Sequence, residues 1–228
     1  MSRKTRSKQR SSKSGYTRSI IAAGVAVLVI AIVSATLMYV SDDTQSPQSE
    51  AVARNAALAS EHSPSLGDPG AKVHIVEFLD PACETCALFF PMVKQWMAEV
   101  PDEIHLSVRH VAFHDGSDYA VRVLEASRKQ DKYWQTLEAL LASQRQWVQG
   151  HTVQPDRIGP AIAAVGLDME QLAADMNSVA VMQRIQQDKK DSILLKVSAT
   201  PEYFVNGREL PSFGQQQLAD LVREELGK

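Results

Sequence analysis

The sequence predicts an α/β domain: a mixed sheet covered by helices, interrupted by an inserted helical block and preceded by one apolar segment. Three observations predict it. Strand-like apolar runs at 72–79, 104–111 and 202–210 frame the region from 67 to 228. Between the second and third runs the apolar residues switch to helical spacing and keep it. Ahead of the region, residues 20–40 carry no charge over 21 positions, enough for one helix to cross a bilayer.

The 228-residue chain has a formal net charge of −3, unevenly placed. Residues 1–18 hold seven of the 24 Lys and Arg and no acid, leaving 17 bases against 27 acids elsewhere, a net of −10. An acidic body argues against nucleic acid as a partner. The basic tail, 1–19, instead precedes the apolar run, and Asp42 and Asp43 follow it. The positive-inside rule then makes the tail cytoplasmic and puts everything after Ser41 across the membrane. Residues 20–40 are read as a transmembrane anchor seated in lipid. The rival reading is a cleaved signal peptide ending near Val33-Ser34-Ala35, although the apolar run continues to Val40. Both readings export the rest of the chain.

Residues 41–66 are rich in Ser, Gln, Ala and Asp, with Pro47 and Pro64, and read as a flexible tether with a short helix over 51–60. The turn cluster Gly67-Asp68-Pro69-Gly70 opens the folded domain. The run 72–79 is apolar on both faces towards its end, as in a central strand of a covered sheet. A helix over 83–99 follows, with Pro91 inside it, and then the second strand. The insertion spans about 115–195, with helical segments near 117–130, 131–146, 155–165, 168–176 and 178–195. Asp168 fits the N-cap of the fourth. Asn206-Gly207 between short apolar runs is a hairpin signal, and a final helix covers 215–226.

The chemistry centres on Cys83-Glu84-Thr85-Cys86, which holds both cysteines of the chain. The first cysteine stands where a strand feeds a helix. Unpaired amides and the positive helix end stabilise a thiolate there. The second, one turn on, can close or resolve a disulfide. Cys83 is the expected nucleophile and Cys86 the more buried resolving thiol. Zinc would need a second ligand pair, and no further cysteines exist. Glu77, an acid in an apolar strand six residues before Cys83, would have a raised pKa if buried and could exchange a proton with Cys86; the alternative is a surface acid. Thr200-Pro201 precedes the returning hairpin, where a cis proline would face the dithiol and a free carbonyl could pair with a client backbone.

With these pieces in place, residues 67–228 resemble the DsbA-like branch of thioredoxin-fold thiol–disulfide oxidoreductases. The resemblance rests on Val76-Glu77-Phe78-Leu79-Asp80 leading into the Cys-x-x-Cys turn, on the helical insertion, and on Ala199-Thr200-Pro201 followed by Tyr203-Phe204-Val205-Asn206-Gly207. It implies a thioredoxin-like fold with an inserted helical subdomain. It implies an enzyme exchanging disulfides with exported, cysteine-containing client proteins in the bacterial envelope. Cys83, Cys86, Glu77 and Pro201 would be catalytic, with Thr200 and Pro201 holding the client. No cofactor or metal is required, because the dithiol is the redox group, and a membrane or envelope redox partner would regenerate it.

One departure stands out. Relatives usually place proline after the first cysteine, whereas here Glu84-Thr85 lies between the two. A carboxylate beside Cys83 disfavours a thiolate, so Glu84 and Thr85 are expected to tune the site towards a less depressed Cys83 pKa. Electron-flow direction stays open. A non-enzymatic binding module, handling assembly or copper with a fixed disulfide, is the alternative function. His105, His110 and His114 read as surface or loop histidines, and the Lys189-Lys190 pair as a solvated helix face.

Overall fold

β2 (Val73–Leu79) is the strand on which the rest is laid. In the computed structural model, which describes residues 28–32 and 47–227, β2 pairs on both sides. It runs parallel to β3 (Ile104–His110), with Glu77 opposite Val108, and antiparallel to β6 (Glu202–Val205), with Glu77 opposite Tyr203. β1 (Ser65–Leu66) extends the sheet beyond β3, and β7 (Arg208–Glu209) closes it beyond β6, giving the order β1-β3-β2-β6-β7. Asn206 and Gly207 both have positive φ, as the two-residue turn between β6 and β7 requires.

The strands alternate between two apolar layers. Val73, Ile75 and Leu79 of β2 join Leu106 and Val108 of β3 in one core. That core is covered by Phe89, Phe90 and Val93 of α2 (Glu84–Glu99) and by Leu218, Leu221 and Val222 of α9 (Gln215–Leu226). α2 runs on through Pro91. Val76, Phe78 and Phe204 face the other way, onto Ala57, Leu58, Leu195 and Val197.

That second layer corrects the expected tether. Residues 41–66 are not loose throughout: α1 (Pro47–Leu58) buries Ala57 and Leu58 against the sheet, and β1 pairs with β3. Two small apolar side chains at a helix end sufficed, a signal too short to stand out in a polar stretch. Gly67 then turns the chain beneath β3 at φ +84°, where an added Cβ would lie 2.3 Å from the Ile104 carbonyl oxygen. Residues 51–228 form one compact unit. The basic tail and the anchor over 20–40 lie outside the described residues except for 28–32, which are helical and exposed. Among the described residues no helix is long and apolar enough to cross a membrane.

The insertion separates β3 from β6 as expected. It comprises α3 (Ser117–Ser127), α4 (Tyr133–Ala142), α5 (Gln144–Trp147), α6 (Pro155–Ala161), α7 (Met169–Asp175) and α8 (Val179–Leu194). Asp168 caps α7, its carboxylate accepting the Gln171 amide at 2.9 Å. The sequence did not reveal the small hairpin β4 (Val148–Gln149) and β5 (Thr152–Val153).

The histidines also differ from expectation. His105 and His110 are buried in β3, and the His110 ring bonds the Tyr133 hydroxyl at 2.7 Å. Both strands beside β3 and the helices above it leave little of that strand on the surface. Lys189 and Lys190 are exposed, as read.

Candidate active site

β2 ends in a turn built by Asp80. Its fully buried carboxylate accepts the Ala82 amide at 2.8 Å, which folds Asp80-Pro81-Ala82 back on itself. The same carboxylate accepts the Phe113 and His114 amides, the His114 ring Nδ1 and the Ser117 hydroxyl, at 2.7–3.1 Å. The backbone carbonyl of Asp80 accepts the Cys83 amide at 3.0 Å. From the insertion, Gln144 Nε2 donates to the Pro81 carbonyl at 2.9 Å. The turn is thus pinned by the strand, by the segment after β3 and by α5. The sequence reading missed Asp80, although an Asp directly before a proline is a turn signal.

Cys83 occupies the N-cap of α2 in an extended conformation, and its carbonyl accepts the Ala87 amide at 3.2 Å. Its thiol is pulled down to about 5. The Cys86 thiol beside it is the largest cause; burial opposes, and Thr200 with the backbone amides of Cys86 and Thr85 adds to the fall. Glu84 is exposed and is not among the groups acting on Cys83. The influence expected of Glu84 therefore has no counterpart among the groups around the sulfur. A carboxylate pointing into water is screened, whereas the helix amides lie against the sulfur. Thr85 does act on Cys83, through its main chain.

Cys86 is completely buried and its thiol is pushed well up by that burial, by its bond to Cys83 and by the Glu77 charge. Both cysteines are in the free thiol form. Glu77 is wholly buried in the core beneath them, which raises its carboxyl to about 8, with the Cys83 charge adding and Tyr203 restraining the rise. No hydrogen bond of full geometry closes on the Glu77 oxygens, and the facing Tyr203 hydroxyl is the one donor near enough to act on them. Buried polar atoms without partners are rare and mark places held for another purpose. Tyr203 could not be picked out from sequence, since only the sheet register brings it opposite Glu77.

The Thr200-Pro201 peptide is cis, as expected, and Pro201 is buried. The Cys83 thiol donates to the Thr200 carbonyl at 3.2 Å. The structure therefore brings Cys83, Cys86, Glu77, Thr200 and Pro201 together, and leaves Glu84 on the rim. Among the described residues no cluster of three or more His, Cys, Asp or Glu could hold a metal ion.

The chain is similar to known proteins. Residues 59–223 fit the thioredoxin family model. The chain belongs to the thioredoxin family. It superposes on a thioredoxin-like oxidoreductase from Silicibacter pomeroyi with a TM-score of 0.65 and 30% identity, over 76% of this chain and 98% of that one. It is 26% identical over 172 residues to disulfide bond formation protein D of Bacillus subtilis, covering 72% of this chain and 77% of that protein. It is also 30% identical over 144 residues to the Na(+)/H(+) antiporter NhaA of Herminiimonas arsenicoxydans. There the match takes in 63% of this chain but only 22% of the antiporter. The chain thus spans about a fifth of that relative's length. In the thioredoxin family frame, the insertion between β3 and β6 is the feature that the DsbA-like resemblance led us to expect.

Proposed function

We propose that this thioredoxin-family chain is a thiol–disulfide oxidoreductase acting on exported proteins through Cys83 and Cys86. The observation that carries the reading is the split between the two sulfurs: one lowered to about 5 at the helix end, the other buried and raised. At neutral pH Cys83 is the thiolate, hence the nucleophile and the better leaving group. In the reducing direction, the Cys83 thiolate attacks a client disulfide. A Cys83–client bond forms, and the other client sulfur departs as a thiolate. Cys86 then gives up its proton and attacks Cys83, closing the Cys83–Cys86 bond and releasing the second client thiolate. Two electrons pass from the dithiol to the client. The oxidising direction is the reverse.

Glu77 is the group to carry the Cys86 proton, because a carboxyl near 8 both accepts and releases protons around neutrality. Thr200 and Pro201 hold the client backbone, with the Thr200 carbonyl as acceptor. Residues 20–40 anchor the chain as a single pass in the bacterial inner membrane, with tail 1–19 cytoplasmic and the catalytic domain in the periplasm or its equivalent. A membrane or envelope redox protein resets the dithiol. Direction is set by that partner and by the potential of the pair.

Insulin reduction and refolding of reduced ribonuclease by the full chain test the reading. Activity in either assay should vanish in Cys83→Ser, and Cys86→Ser should accumulate mixed disulfides through Cys83. Full activity in Cys83→Ser, or trapping through Cys86, would refute it.

A further inference from the structure

Tyr203 of β6 stands directly opposite Glu77 of β2 in an antiparallel pair. The two side chains therefore leave the same face of the sheet, with Cβ atoms about 5 Å apart. Both residues are completely buried. A stack of rings holds Tyr203 in place. It lies on Phe89 with ring centroids 6.1 Å and planes 24° apart, and Phe89 lies on Phe213 at 5.0 Å. Phe213 is half exposed, so the stack runs from the surface to the Tyr203 ring.

Each element packed on Glu77 presents a different neighbour. β3 sets the apolar Val108 opposite it. From α2, Cys83 and Cys86 interact with its charge, and from α4 so does Tyr133. The Tyr133 hydroxyl is already committed to the His110 ring at 2.7 Å. The Tyr203 hydroxyl closes no hydrogen bond of full geometry on any group. It stays protonated, because burial and then the Glu77 charge push it well above its usual range. A neutral donor facing a buried carboxyl bonds the charged form more strongly than the neutral one.

We propose that Tyr203 is a positioning residue for resolution by Cys86: its hydroxyl turns to the Glu77 carboxylate and holds that base ready for the Cys86 proton. The inference rests on the proposed disulfide exchange and adds a residue to it. Tyr203 acts through Glu77 and not on the sulfurs. Without the hydroxyl, Glu77 loses the one bond that restrains its rise, and less of it is ionised near neutrality.

The test uses the full chain in its reduced form and one equivalent of dithiobis(nitrobenzoate), an aryl disulfide. The Cys83 thiolate attacks it, a Cys83–thionitrobenzoate bond forms, and one coloured thionitrobenzoate leaves. Cys86 then passes its proton to Glu77 and attacks Cys83. The Cys83–Cys86 bond closes and the second thionitrobenzoate leaves, so two electrons pass from the dithiol to the reagent. The second phase of colour is the resolution step. In Tyr203→Phe the pH midpoint of that phase should move up by about one unit. At neutral pH the phase should slow about threefold, because about tenfold less carboxylate is present but it is a stronger base. Above the new midpoint the variant should be the faster of the two, which a merely loosened core would not produce. In Glu77→Gln, adding Tyr203→Phe should move nothing. An unmoved midpoint, an equal slowing at every pH, or a shift that persists in the Glu77→Gln chain overturns the inference and leaves the exchange reading standing. If the unmodified chain shows no second phase, the exchange reading falls and the inference with it.

Discussion

Two buried polar clusters lie on opposite faces of the same pair of strands. On one face, Glu77 of β2 sits under the dithiol with only the Tyr203 hydroxyl facing its carboxyl. On the other, Arg109 of β3 is fully buried and every direction of its guanidinium is used. Nε meets Asp188 at 2.6 Å, Nη2 meets Asp191 at 2.5 Å, and Nη1 donates to the Ala57 carbonyl. Asp188 also accepts His62 at 2.7 Å and the His110 amide at 2.8 Å. Burial would push the Asp188 carboxyl up, but the His62 bond and the Arg109 charge outweigh it and hold the group below its usual range. The Arg109 cluster fastens α1 and α8 to the sheet. The Glu77 cluster fastens nothing. A buried group with all its bonds made is architecture, whereas one facing a single neutral hydroxyl keeps its proton available.

The strongest way to break this comparison is Arg109→Leu. It leaves Asp188 and Asp191 as buried acids without their cation, and should cost about 3–5 kcal/mol of stability. Chemical denaturation measures it. A loss under about 1 kcal/mol would mean that the cluster is not structural and the contrast is false.

Glu77→Gln should act differently, on the pH dependence. The Glu77 carboxyl titrates near 8 in the folded chain against an ordinary 4.5. Between those values the folded state keeps a proton that the unfolded state has lost, so stability falls as pH rises through that window. The oxidised chain removes the Cys83 and Cys86 titrations, and its difference from Glu77→Gln removes the opposing share of His74 and His110, whose buried rings are held below the ordinary histidine range and add stability as pH rises. Relative to Glu77→Gln, the chain should lose about 2–3 kcal/mol of stability from pH 5 to 8, a little less than the full shift because the Cys83 charge no longer adds to the rise. Resolution by Cys86 should also slow by about 10²-fold if Glu77 carries its proton. The same slope for both chains in denaturation curves at several pH values would show that the Glu77 carboxyl titrates in its ordinary range.

Glu84→Gln should have the smallest effect. Alkylation of Cys83 by iodoacetamide should fall off below about 5 in the unmodified chain, and the substitution should barely move that midpoint. The exposed carboxylate is screened, whereas the amides of Thr85 and Cys86 are fixed against the sulfur. A large shift would return Glu84 to the role its sequence position suggested.

Much of this was legible in the chain. The strand and helix order followed from the change of apolar period, and the dithiol from the spacing of its two cysteines. Glu77 stood out as a charge in an apolar strand, and Thr200-Pro201 by its place before the hairpin. Asp80, Tyr203 and Phe213 did not stand out. Asp80 gains its meaning from amides more than thirty residues away, at Phe113 and His114. Tyr203 gains its meaning from register and Phe213 from stacking on Phe89.

The sequence by itself determined the fold class, the cysteine pair and the acid beneath it, because periodicity, spacing and a charge out of place are local properties. Tertiary structure decided which distant residues join the turn in tuning that pair. Electrostatic influence depends on distance and on exclusion of water, not on position along the chain. Glu84 is adjacent to Cys83 in sequence but is turned into solvent. Thr200, 117 residues away, helps hold the Cys83 thiol down with its side chain.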